Sequence, residues 1–215
     1  MAKDKASIPG LIEQVMRHPN EVFSKDREFE AASRLAKSGA PAVLPILKAM
    51  QGPYPPGQHP VDVVEALGCV LKGIARRESA PLVEVLEGGA FPPDAGLSYV
   101  VYALRDANDE RALRALISAL KHPHKYIRDA AASVLVEKDD GRVVVPLVEA
   151  LSDKSSSVKF TVVQAMRRRT DLRDTRALEP LKRIVASKSL QKHSPGMCEY
   201  ASEVIGMIEG RGGPS

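Results

Sequence analysis

The chain has 215 residues, 44% hydrophobic, 27% charged and 4% aromatic, with a net charge of +4; this is an ordinary globular composition, large enough to bury a core without metal or disulfide staples. No apolar run reaches the roughly 18 residues of a membrane span, and no apolar segment follows Lys3, Asp4 and Lys5, so a cytoplasmic setting without a membrane partner is expected. Cys69 and Cys198 each lie in an apolar helical stretch, where a reduced cysteine packs as a small buried hydrophobe, and both are expected to be inert thiols.

An internal repeat organises the chain. Pro or a small residue followed by Leu or Ile recurs at Gly10-Leu11, Pro45-Ile46, Pro81-Leu82, Ala115-Leu116, Pro146-Leu147 and Pro180-Leu181, at spacings of 35, 36, 34, 31 and 34. Four residues after each Leu or Ile stand Val15, Met50, Leu86, Leu120, Leu151 and Val185, on the same helical face. This predicts a first helix, A, in each repeat, with the Pro near its first turn, where a missing N–H costs little. The last three repeats open with Asp-x-Arg at Asp109, Asp140 and Asp174, an acid suited to capping free backbone donors. A second helix, B, follows in each repeat, with matched core positions at Leu35, Leu67, Leu104, Leu135, Met166 and Ile205.

In chain order the repeats are expected at 6–38, 39–75, 76–106, 107–139, 140–171 and 172–209, forming a single array with loose tails at 1–5 and 210–215. Neither helix of a pair has enough apolar surface to be stable alone, so the repeats must share a core. Repeats one, two, three and six carry extra residues in the A-to-B turn. All five histidines fall in such turns, as do two aromatics directly before a Pro pair: Tyr54 in Gly52-Pro53-Tyr54-Pro55-Pro56 and Phe91 in Ala90-Phe91-Pro92-Pro93.

The segment Asp109-Glu110-Arg111-Ala112-Leu113-Arg114-Ala115-Leu116, followed by Tyr126-Ile127-Arg128-Asp129-Ala130-Ala131, resembles HEAT repeats, and more closely the short HEAT-like repeats of phycobilisome bilin lyases. The resemblance implies an all-α fold, a right-handed α-α superhelix of about six hairpins. It is specific for fold and nearly silent on function, because such repeats serve scaffolds, inhibitors, chromophore lyases and a few enzymes. The HEAT-like hydroxylases that hold two irons use His-Glu dipeptides, and none of the histidines here precedes Glu. Histidines of different turns, separated by roughly the 8 to 10 Å of packed helices, would not converge on one metal, so no cofactor or metal is expected.

Charge supplies the remaining clue. Between Lys121 and Lys192, 16 Lys and Arg face 9 Asp and Glu, which concentrates the basicity in repeats four to six. Arg128 and Lys159 occupy equivalent places, and Arg167, Arg168 and Arg169 close helix B of repeat five. Three consecutive residues at about 100° intervals cannot share one face, and an Ile-Arg step also serves to pair with acids of neighbouring turns. The reading adopted is a non-catalytic scaffold or adaptor that binds an acidic protein through its concave face and turn edge. Its contact residues are Arg128, Lys159, Arg167, Arg168 and Arg169, with Tyr54, Phe91, His122, His124 and Tyr126 as a second zone. The alternatives are nucleic-acid binding through residues 121–192, with or without glycosylase-like base chemistry, and bilin lyase-like chromophore handling.

Overall fold

The computed structural model describes residues 7–23, 29–88 and 96–210. Among them are thirteen α-helices and no strand, and in chain order they alternate as A and B helices. The A helices are α1 (Ile8–Arg17), α3 (Ala40–Ala49), α5 (Ala80–Glu87), α7 (Glu110–Ala119), α9 (Val144–Ala150) and α11 (Leu178–Ala186). The B helices are α2 (Glu30–Lys37), α4 (Pro60–Arg77), α6 (Leu97–Ala103), α8 (Lys125–Leu135), α10 (Ser156–Arg168) and α13 (Pro195–Ile208). One short extra helix, α12 (Lys188–His193), fills the expanded turn of repeat six.

Local chemistry explains where the helices begin. The Ser7 hydroxyl accepts from the Gly10 N–H at 3.3 Å, and Pro9 takes a first-turn position that needs no donor. The Asp-x-Arg sequences act as caps. Asp140 accepts from the Arg142 N–H at 2.9 Å and Asp174 from the Arg176 N–H at 2.8 Å, each opening a single 3-10 turn that runs into α9 or α11. The side chain of each arginine folds back on its own aspartate, whereas Arg111 instead reaches Glu84 at 3.3 Å and Asp109 caps Ala112.

The chain divides into two compact units, Met1–Leu116 and Ile117–Ser215, with the boundary inside α7. In the first, α1, α3 and α5 pack in succession as one layer and α2, α4 and α6 as the other. In the second, α10 lies between α8 and α13, with α11 against α13. The core holds Leu11, Ile46, Leu82, Leu116, Leu147 and Leu181 from the A helices and Leu35, Leu67, Leu104, Leu135 and Met166 from the B helices, all buried. Burying one such side chain favours folding by about 1.5–3 kcal/mol, which is why no single helix suffices but a stack does.

Two details differ from the repeat alignment. In repeat six Val204, with Ala201, Met197 and Cys198, fills the core and Ile205 is half-buried, one residue out of the expected register. One anchor proline also sits deeper than expected: Pro45 lies inside α3, whereas Pro81 is at the start of α5 and Pro146 and Pro180 are the third residues of α9 and α11, each after a 3-10 turn.

The caps make stability depend on pH. The Arg142 side chain and backbone hold Asp140 down at about 2, and Arg176 does the same for Asp174, again to about 2. A carboxyl lowered in the folded state contributes stability above its unfolded value, near 4, and loses it as pH falls toward 2. The melting temperature followed by circular dichroism should therefore be nearly flat from pH 7 to 5 and fall between about pH 4 and 2. In the double variant Asp140→Asn, Asp174→Asn that acid limb should be shallower.

Candidate functional site

In the second unit, cross-helix contacts set the direction of the B helices. Arg128, near the start of α8, reaches Asp153 just before α10; Asp129 accepts from the Ser157 hydroxyl at 2.9 Å; and Arg169, just past α10, reaches the carbonyls that follow α8. The order of these contacts makes α8 and α10 parallel. Phe160 stacks on Tyr200 with centroids 6.0 Å apart, and Arg167 pairs with Glu203 at 2.6 Å, so α13 runs parallel as well. The beginnings of all three helices, with the turns that precede them, therefore share one edge of this unit.

Arg128 is not an available docking cation. Its side chain is 12% exposed and that of Asp153 9%, and the guanidinium grips both carboxylate oxygens at 2.7 and 3.0 Å. Its remaining donors go to the His122 and Pro123 carbonyls at 2.9 and 3.0 Å, so one side chain ties the turn of repeat four to that of repeat five. Burial pushes the Asp153 carboxyl up, but the Arg128 hydrogen bonds and the Ser155 N–H outweigh it and hold it below the ordinary value. The expected ladder of Arg128 and Lys159 is thus broken. Lys159 is half-buried and makes no ion pair among the described residues, while its charge also favours ionised Asp153.

The three consecutive arginines part company as helical geometry requires. Arg167 lies over the Tyr200 ring at 3.9 Å besides pairing with Glu203. Arg169 donates to the Val136 and Lys138 carbonyls at 2.7 and 2.8 Å and pairs with Asp171, supplying partners for the open end of α8. Of the three, Arg168 is exposed and forms no ion pair among the described residues; it lines a groove of 660 Å³ between α8 and α10 with Ser133, Glu137, Thr161 and Gln164.

The turn residues are equally divided. The His122 ring accepts from the His124 N–H at 3.1 Å, the same local turn that Asp153 makes with the Ser155 N–H at 2.6 Å one repeat later. His122 thus takes the place of a turn-forming aspartate. Burial lowers its pKa, and the nearby Arg128 charge adds to the effect. His124 packs against Tyr126, which is 59% exposed and lies under Lys125 at 4.8 Å. Tyr54, in the first unit, donates its hydroxyl to the Met50 carbonyl at 2.6 Å. Phe91 lies outside the described residues.

Of the cations of residues 121–192, Lys121, Arg128, Arg142, Arg167, Arg169, Arg176 and Lys182 are engaged in ion pairs. Lys125, Lys154, Lys188 and Lys192 are exposed and form none among the described residues, and all four lie in or beside the A-to-B turns of the second unit. The repeat pattern gave no weight to Lys125, whose position directly before exposed Tyr126 at the start of a B helix was the available signal.

In the first unit, Cys69 corrects the expectation of two buried thiols. Cys198 is buried, but Cys69 is half-exposed and lines a 260 Å³ pocket with Phe23, Tyr99 and Tyr102, where desolvation raises its pKa. Among the described residues no three His, Cys, Asp or Glu side chains form a metal-binding group, and no helix is long and apolar enough to cross a membrane.

Residues 113–192 match the HEAT repeat family. No curated protein matches the chain. Solved structures similar to it include human deoxyhypusine hydroxylase in complex with glycerol, at 20% identity and a TM-score of 0.46, covering 95% of this chain and 75% of that one. Another is an engineered protein at 17% identity and a TM-score of 0.45, covering 94% of this chain and 97% of that one.

Removing one member of a buried ion pair strands the other, at a cost of about 3 kcal/mol. Arg128→Ala should therefore lower unfolding stability in urea by about that amount, whereas Lys159→Ala should change it by less than about 0.5 kcal/mol.

Proposed function

We propose that the chain is a non-catalytic helical-repeat adaptor whose second unit holds an acidic surface of a partner protein along its A-to-B turn edge. The observation that carries this reading is the division of labour among its cations. Most arginines are engaged by carboxylates and helix-end carbonyls inside the unit, Arg168 and Arg183 being the exposed exceptions, while Lys125, Lys154, Lys188 and Lys192 are exposed at one edge and form no ion pair among the described residues. Exposed Tyr126 supplies an aromatic anchor among them, since rigid aromatics with a polar tip contribute most where they become buried in a complex. Arg168 and the groove between α8 and α10 extend the contact onto the B-helix face. Arg128, Arg167 and Arg169 support this surface by holding the helices in register and are not its contact groups.

Exposed lysines along an edge that also carries an exposed tyrosine suit a protein carboxylate surface, where steering charge sets the rate of encounter and an apolar centre sets its lifetime. The test is affinity capture from host lysate with the wild-type chain and the quadruple variant Lys125→Glu, Lys154→Glu, Lys188→Glu, Lys192→Glu, at two salt concentrations, with and without nuclease, read by mass spectrometry. A stoichiometric protein should survive nuclease and be lost in the variant, whose melting temperature should stay within about 4 °C because surface charges contribute little to stability. Recovery that disappears with nuclease, and an affinity falling with salt at a log–log slope near −5 for about six phosphates, would replace the protein partner with nucleic acid.

A further inference from the structure

The first unit carries a groove of different chemistry. It has a volume of 990 Å³ and runs between α1 and α3, closed at one end by the Pro-rich turn of repeat two. Ile12 and Met16 form a nearly buried floor, and Leu44 stands on the rim 49% exposed. The turn is pinned in place from two sides. Gln58 donates to the Arg17 carbonyl at the end of α1 at 3.0 Å, and Gly52 holds φ +82 with the Tyr54 ring 3.4 Å from where a Cβ would stand.

The walls dictate what form an occupant takes. Pro9, Pro45, Pro53 and Pro55 line the groove and have no N–H to offer. The polar side chains near them are already engaged, Tyr54 with the Met50 carbonyl and Gln51 with the Leu47 carbonyl at 3.3 Å. An extended peptide laid here would lose water from backbone groups and meet few donors to replace it, since the prolines have none and Tyr54 and Gln51 each already use one. A helix satisfies its own backbone and needs only an apolar stripe to fill the floor.

The rim dictates its charge. Arg17 and Glu13 neutralise each other at 3.0 Å, whereas Lys48 is exposed and forms no ion pair among the described residues. Among the lining residues the formal charges are Arg17 and Lys48 against Glu13, a net of +1. We propose that the groove between α1 and α3 docks an acidic amphipathic helix of a partner protein, with its apolar stripe on Ile12, Met16 and Leu44 and a carboxylate on Lys48. This site stands independently of the turn edge of the second unit, with its own residues and its own ligand chemistry.

The probe is a fluorescein-labelled helical peptide of roughly 15 residues, with Leu along one stripe and Glu flanking it, titrated with the full chain and read by anisotropy. Two comparison peptides carry Lys in place of Glu, or the same acidic composition broken by central prolines. The acidic helix should bind saturably, and both comparison peptides at least about tenfold more weakly. Leu44→Asp should weaken the acidic helix at least about tenfold, while Val61→Asp, at an exposed apolar residue outside the groove, should leave it unchanged. Lys48→Glu should reverse the preference toward the Lys peptide. Circular dichroism should give the same helix content for all three variants. The proposal is overturned if no peptide binds, if Leu44→Asp binds like the wild type, if the broken peptide binds as well as the helix, or if charge reversal leaves the preference intact. It is equally overturned if sedimentation shows a dimer abolished by Leu44→Asp, which would make the occupant a second copy of the chain.

Discussion

Two guanidinium groups hold α8 and α10 in register: Arg128 joins the turn of one repeat to the acid of the next, and Arg169 reaches back to the open carbonyls at the end of α8. Each works at one end of the same helix pair, so neither helix can slide without stranding a buried charge or unpaired carbonyls. Everything accessible in the second unit follows from that register. It brings the starts of α8 and α10 to one edge beside the groove that Arg168 lines, and the Phe160–Tyr200 stack and the Arg167–Glu203 pair set α13 parallel to them.

The choice of cation follows from its chemistry. A guanidinium presents a planar fork with five donors and satisfies a carboxylate and a pair of carbonyls together, as Arg128 does. Arg173 uses the same capacity on the Met166 and Arg167 carbonyls that end α10. A lysine is a compact, strongly hydrated charge on a flexible stem, costly to bury and well suited to long-range attraction. In this unit the internal roles fall mainly to Arg and the exposed turn positions to Lys, so the local excess of positive charge is a structural set and a surface set superimposed.

The two compact units offer different surfaces from the same kind of repeat. In the first, prolines and the Tyr54 turn line an apolar groove between A helices; in the second, lysines and Tyr126 occupy the A-to-B edge. The core rows are nearly the same in both, and the variation lies in turns and outward faces. A stacked-repeat fold permits this because its stability comes from the shared core and its turns face away from it.

The helical repeat was legible in the sequence because burial imposes a period: Leu82, Leu116, Leu147 and Leu181 recur at the spacing of a helical hairpin, and the Asp-x-Arg starts recur where caps are needed. The same logic failed at Ile205, whose neighbour Val204 takes the buried place on α13. The concentration of charge in residues 121–192 was equally plain from composition. Which of those charges are free was decided by tertiary structure alone. Arg128 and Lys159 are equivalent in sequence, yet Asp153 and two carbonyls consume the first and leave the second at the surface, because a pairing distance depends on which turns the stacked helices bring together. The groove between α1 and α3 has the same origin: Ile12 and Leu44 are ordinary apolar residues of two amphipathic helices until packing places them on the floor and the rim of one cavity.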